Sequence, residues 1–191
     1  MPDLDRRLRP AEGFRSREAA SFYAQLEDQT RILLENLRGI TPQELAWQPG
    51  RGMNTIGMLL AHNAVVEGWW TEFGLQRGKE TDGTAILGIN WDGDGMPLAA
   101  DAAPFPDLEG KPLAFFEDLL ARARAYFKNA ASALVEADME REIIRKRDDG
   151  SQSVMNVRWV LYHMHEHFAG HRGQIQMLRH LYAASVGAAT R

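Results

Sequence analysis

One stretch near the C-terminus, residues 157–179, holds four of the six histidines of the chain. Its apolar side chains recur at spacings of three and four residues, which is the period of one buried face of an α-helix. They are Val157, Leu161, Met164, Phe168, Ile175 and Leu178. The position that this series leaves open is occupied by His171. A histidine therefore lies where a helix in a bundle normally places a leucine.

A second histidine lies on the same face, because His167 precedes His171 by four residues and the two imidazoles can converge on one point. His163 continues the series backwards. At about 1.5 Å of rise per residue, however, His163 and His171 are about 12 Å apart along the helix axis. One ion binds imidazole nitrogens at only about 2.0–2.1 Å. This helix can therefore supply one adjacent pair, either 163 with 167 or 167 with 171, and a third ligand must come from elsewhere.

Three further segments show the same helical spacing of apolar residues. The first ends at Gly39, the second is capped by Asn54 or Thr55, and the third begins near Pro112. A connection rich in glycine and aspartate, residues 74–110, separates the second segment from the third. Four amphipathic helices with one long crossover between helices 2 and 3 predict an all-α four-helix bundle.

We expect residues 1–191 to form a single domain, with residues 1–15 as a charged N-terminal arm. A polar turn at residues 145–151 precedes the last helix and is expected to be flanked by short extended pieces. Ser153 is the predicted cap residue of that last helix.

A third histidine occupies an inward position of the second long helix, where His62 follows Leu59 by three residues and precedes Val66 by four. Together with the paired histidines it gives three imidazoles on the inward faces of two helices. Three protein ligands with an exchangeable water are typical of a catalytic divalent site. Neutral imidazole suits zinc, nickel or ferrous iron, so the residue types leave the metal open.

Other polar residues of the last helix are candidates for roles around such a site. His163 is a candidate general base, with packing as the alternative, and Glu166 is a candidate proton acceptor at the rim. Arg172 is a candidate for binding an anionic substrate group, and Gln174 for orienting a ligand or a substrate. His165 is rotated by roughly 200° from the metal-facing positions and is expected to face outward.

Composition excludes several classes of function. The absence of cysteine excludes disulfides, zinc–cysteine sites and a cysteine nucleophile, so any thiol must come from a substrate. A net charge of −4 gives no positive field for nucleic acid or anionic lipid. Without a signal peptide or an apolar run of about 20 residues, we expect a cytoplasmic protein with no membrane partner.

Three motifs resemble those of the DinB-like superfamily, which includes thiol-dependent S-transferases. They are ELAWQPG at 44–50, NTIGMLLAH at 54–62 and HFAGHRGQI at 167–175. They occur in the family's order across most of the chain. The resemblance implies a four-helix bundle that binds a divalent metal ion through His62, His167 and His171, and it implies a homodimer.

The first functional hypothesis is a metal-dependent S-transferase that acts on a low-molecular-weight thiol cosubstrate and a small electrophile. The first alternative is a metal-dependent hydrolase. The second is a stress-related binding module, without enzymatic activity, in which the metal is structural or absent.

Overall fold

The computed structural model describes residues 7–76, 78, 81–96, 106–147 and 149–189. Within these residues, six α-helices and one short antiparallel hairpin follow one another. They are α1 (Arg17–Asn36), α2 (Pro42–Ala46), α3 (Ile56–Trp70), α4 (Thr84–Leu87), α5 (Leu113–Ser132), β1 (Glu142–Lys146), β2 (Gln152–Asn156) and α6 (Val157–Ala189). The four long helices α1, α3, α5 and α6 pack on one another, which confirms the predicted all-α fold.

Side-chain contacts give the relative directions of α3 and α5. Gly57 lies against Phe116, and ten residues later Glu67 bonds to Arg124, so the two helices run in the same direction. A Cβ at Gly57 would lie only 2.9 Å from a ring carbon of Phe116. Because consecutive long helices that are parallel need a connection along the whole bundle, this pair explains the length of the crossover between them.

The crossover begins slightly later than predicted. Helix α3 continues through a π-helical turn, Thr71–Leu75, so the connection starts after Leu75 and not at residue 74. The buried Glu72 carboxylate accepts hydrogen bonds from the backbone N–H of Thr81 at 2.6 Å and from its hydroxyl at 2.8 Å. These bonds hold the described start of the connection against α3. Residues 77, 79–80 and 97–105 of the predicted connection lie outside the described residues.

The start of α6 differs from the prediction. Ser153 does not cap this helix, because it lies in β2, where it pairs with Arg145. The hairpin continues to Asn156, whose side-chain oxygen accepts a hydrogen bond from the backbone N–H of Trp159 at 2.9 Å. Asn156 therefore caps α6 as the last extended residue before it. Of the two predicted caps of α3, Thr55 is the one used, accepting from the N–H of Met58.

The core runs along the bundle axis and includes the fully buried rings of Phe116, Phe127 and Phe168. All six apolar residues of the predicted α6 stripe are buried, as their spacing indicated. A buried ion pair between Glu67 and Arg124 crosses this core. No helix in the described part of the chain combines the length and the apolar character that crossing a bilayer requires.

Candidate metal centre

Three imidazoles from two antiparallel helices converge between α3 and α6. The Nε2 atom of His167 lies 3.1 Å from Nε2 of His62 and 3.1 Å from Nε2 of His171. Each residue offers one nitrogen, and all three nitrogens lie within 4.8 Å of one another. The helical spacing of four residues aligns His167 with His171, and the packing of α3 on α6 brings His62 to the same point.

Hydrogen bonds on the far side of two rings fix which nitrogen faces the centre. Nδ1 of His62 lies 2.7 Å from Oδ2 of Asp94, and Nδ1 of His171 lies 2.8 Å from Oε1 of Gln174. An ionised carboxylate and an amide oxygen accept hydrogen bonds, so Nδ1 carries the proton in both rings. Nε2 of each ring therefore presents a lone pair to the centre.

With these protonation states, the three nitrogens that face the centre cannot all form hydrogen bonds with one another. His167 can place one N–H between the lone pairs of His62 and His171, and this proton satisfies only one of them. A divalent cation satisfies all three nitrogens together. Nitrogens that bind a tetrahedral ion at 2.0–2.1 Å lie about 3.3 Å apart, close to the 3.1 Å from His167 to each of the other two histidines. The donor set and its geometry therefore fit a divalent metal ion.

The local environment keeps the imidazoles neutral. Burial is the main cause that lowers the pKa of His167 to about 3. Positive charge on the neighbouring His171, His62 or His163 would lower it as well. Burial also lowers the pKa of His171, against the opposing effect of its hydrogen bond to Gln174. Because only a neutral imidazole has a lone pair to donate, these shifts favour metal binding at neutral pH.

Asp94 is a site residue that the sequence analysis missed. It belongs to the crossover and is only 8% exposed, and its Oδ1 accepts a hydrogen bond from the backbone N–H of Met96 at 3.0 Å. Its other oxygen holds His62. The one available signal was the abundance of aspartate in the crossover, which does not distinguish Asp94 from its neighbours.

His163 lies in an aromatic cluster beside the metal centre. Its ring stacks on Trp159, with centroids 4.7 Å apart and planes 7° apart, and it meets the ring of Trp70 edge to face at 5.2 Å. Its centroid lies 5.7 Å from that of His167. Burial lowers the pKa of His163; the negative charge of Glu166 opposes this shift, and the positive charge of Arg145 adds to it. These contacts place the His163 ring among aromatic side chains next to the three converging histidines.

Glu166, Arg172 and Gln174 were the other predicted site residues. Glu166 is exposed, and its charge and hydrogen bond raise the pKa of Tyr162. Arg172 is half-buried, and its charge adds to burial in lowering the pKa of His165. Gln174 is the predicted residue that contacts the cluster directly, through His171.

His165 does not face outward as predicted. It is half-buried, and its Nδ1 is buried without a hydrogen-bond partner in the described part of the chain. The reason is that α6 packs against α1 as well as against α3, so two of its faces are covered. A prediction based on one buried face places too many residues in solvent.

Comparison with known proteins places this centre in a family context. The family model described as mycothiol-S-transferase matches residues 21–184, a range that includes the three histidines, Asp94 and Gln174. No curated protein matches the chain. With its helical fold and its three-histidine motif, the chain belongs to the mycothiol-S-transferase family, within the DinB-like superfamily.

Proposed function

We propose that the protein is a metal-dependent thiol S-transferase whose divalent ion is held by His62, His167 and His171. The observation that carries the proposal is the convergence of three Nε2 atoms, with His167 at 3.1 Å from each of the other two. The family model supports the reaction class. The proposed thiol is mycothiol, which the family name specifies, or another low-molecular-weight thiol.

Asp94 prepares His62 for this function. Its carboxylate accepts the Nδ1–H of the ring, which directs the Nε2 lone pair to the centre and increases the basicity of that nitrogen. Because Asp94 is nearly buried, its negative charge is poorly screened by water. It also offsets part of the charge of a bound divalent cation.

Gln174 orients His171 in the same way but without a charge. Its amide oxygen accepts the Nδ1–H of the ring from one turn further along α6. The rings of His62 and His171 lie 5.0 Å apart between centroids, and both lie beside His167, so the three lone pairs converge on one point. His62, His167 and His171 would thus hold a divalent ion without rearranging.

When bound, the divalent ion supplies positive charge that lowers the pKa of a thiol so that it is a thiolate at neutral pH. The chain itself has no cysteine, so the sulfur must belong to the cosubstrate. In the overall transfer, the thiol loses its proton to solvent and a sulfur–carbon bond forms. The bond between that carbon and its leaving group breaks, and the leaving group departs with the electron pair.

The test combines metal analysis with an assay of two reaction classes. The purified protein is loaded separately with zinc, nickel and ferrous iron, and each form is offered chlorodinitrobenzene with mycothiol or with other small thiols. We expect formation of a thioether that requires both the metal and the thiol. His171→Ala should lose bound metal and adduct formation together, whereas His180→Ala, at an exposed position of the same helix, should retain both.

A parallel assay with an ester substrate and no thiol separates this proposal from hydrolysis. Metal-dependent ester cleavage without thioether formation would contradict the S-transferase function. Loss of thermal stability on removing the metal, with no turnover of either substrate class, would instead favour a structural metal.

A further inference from the structure

Arg145 lies on the inward side of the hairpin. Side chains alternate along β1, so the buried Ile143 and the half-buried Arg145 share one face while Ile144 is exposed on the other. The guanidinium carbon lies 4.8 Å from the ring centroid of Trp69 and 5.8 Å from that of Trp70. The hairpin thus places a positive charge over two indole rings at the end of α3.

This charge has no anionic partner within the described residues. The guanidinium of Arg145 makes no hydrogen bond or ion pair there, whereas Arg124 and Arg158 each bind two carboxylates. Contact with an aromatic ring engages the flat face of a guanidinium and leaves the N–H groups at its edge available. Arg145 is therefore held in position and keeps the donors that bind an anion.

The aromatic surface under Arg145 continues to the metal centre. Trp70 contacts His163, and His163 lies beside His167, with ring centroids 5.2 and 5.7 Å apart respectively. Trp159 stacks in parallel on His163 and is 39% exposed, so part of this surface is open to a ligand. The partly exposed Trp159 ring offers an apolar surface against which a planar group can pack.

We propose that Arg145 is the anion-binding residue of the electrophile subsite, and that it selects planar, conjugated electrophiles that carry a carboxylate. The flat body of the electrophile packs along the aromatic cluster, and its carboxylate binds the guanidinium edge in a bidentate manner. This inference rests on the proposed S-transferase function for its place in a reaction. The binding step itself can be measured without that function.

The direct test measures binding in metal-free protein without thiol. Dinitrobenzoate and dinitrobenzene differ by the carboxylate and have no leaving group, so neither is consumed, and both quench tryptophan fluorescence. We expect the wild-type protein to bind the benzoate more tightly. Arg145→Gln should weaken benzoate binding about ten- to a hundredfold, the usual range for a lost charge-assisted interaction, and leave dinitrobenzene binding unchanged.

Two further variants control for charge and for folding. Arg147→Gln removes the same charge from an exposed position of the same hairpin and should leave both affinities unchanged. Arg145→Lys keeps the charge without the planar fork and should recover part of the benzoate affinity. Equal melting temperatures of Arg145→Gln and wild type show that the hairpin still folds.

The inference is overturned if the wild-type protein fails to prefer the benzoate, or if Arg145→Gln and Arg147→Gln weaken its binding equally. A turnover assay with chlorodinitrobenzoate and chlorodinitrobenzene separates the two proposals. Both proposals are supported if KM is lower for chlorodinitrobenzoate than for chlorodinitrobenzene and if Arg145→Gln removes this difference. Thioether formation with equal KM values for the two substrates supports the transferase function and contradicts the proposed subsite. Arg145-dependent binding of dinitrobenzoate without any thioether formation supports the subsite and contradicts the transferase function.

Discussion

Oδ2 of Asp94 lies 2.7 Å from Nδ1 of His62, although the two residues are 32 positions apart. A residue of the irregular crossover therefore sets the tautomer of a histidine in α3. The crossover thus contributes to the centre as well as joining two parallel helices. The fold of the crossover and the tautomer of His62 are therefore coupled through this hydrogen bond.

Replacing Asp94 with asparagine should weaken metal binding. The amide lacks the negative charge, and it can turn its NH2 group toward Nδ1, which reverses the tautomer that places a lone pair on Nε2 of His62. We expect zinc affinity to fall about ten- to a hundredfold, the usual cost of losing a hydrogen-bond partner of a metal-binding histidine. Competition with a chromogenic chelator measures this change. Asp92→Asn, at an exposed position of the same segment, should bind zinc as wild type does.

Gln174 gives a second test from the opposite side of the cluster. Gln174→Ala removes the acceptor of the His171 Nδ1–H and should lower zinc affinity about tenfold. Gln174→Glu supplies a charged acceptor at the same position, so its affinity should equal or exceed that of wild type. Gln176→Ala is the matched control, since this residue is exposed on the same helix. An unchanged affinity in Gln174→Ala would show that His171 does not depend on this bond.

The stability of the metal-free protein should fall as the pH is lowered from about 6.5 toward 3. In the unfolded chain His167 takes up a proton near its ordinary pKa of about 6.5, whereas in the folded protein its pKa is lowered to about 3. The unfolded state therefore binds more protons in this window, and acid favours it. Urea unfolding at several pH values should show a smaller pH dependence for His167→Gln than for wild type. An identical dependence in both proteins would contradict the lowered pKa.

Periodicity along the sequence predicted the long helices and the inward position of the histidines, because both depend on which face of a helix is buried. It did not predict Asp94, since a glycine-rich connection has no period from which the direction of a side chain follows. Cap chemistry wrongly predicted Ser153 as the cap of the last helix. That preference is local, whereas Ser153 pairs with Arg145 across the hairpin. His165 shows a related limit, since a helix with two covered faces has no single outward side.

The buried pair of Glu67 and Arg124 provides a prediction about the scaffold. Their side chains are 3% and 8% exposed, and they bond at 2.7 and 3.1 Å. Arg124→Met leaves the Glu67 carboxylate buried without its cation and should lower the free energy of unfolding by about 3–5 kcal/mol. The double variant Glu67→Met/Arg124→Met should recover most of this loss. Urea unfolding of Arg124→Met, Glu67→Met and the double variant measures the coupling, and strictly additive effects would contradict it.

The three-histidine centre should bind one metal ion per chain, through His62, His167 and His171. Elemental analysis of zinc-loaded protein after gel filtration should give one ion per chain for wild type and for His180→Ala. His62→Ala, His167→Ala and His171→Ala should each lose it while keeping the helical circular dichroism spectrum. Retention of the ion in these three variants, or its absence from wild type, would contradict the three-histidine centre.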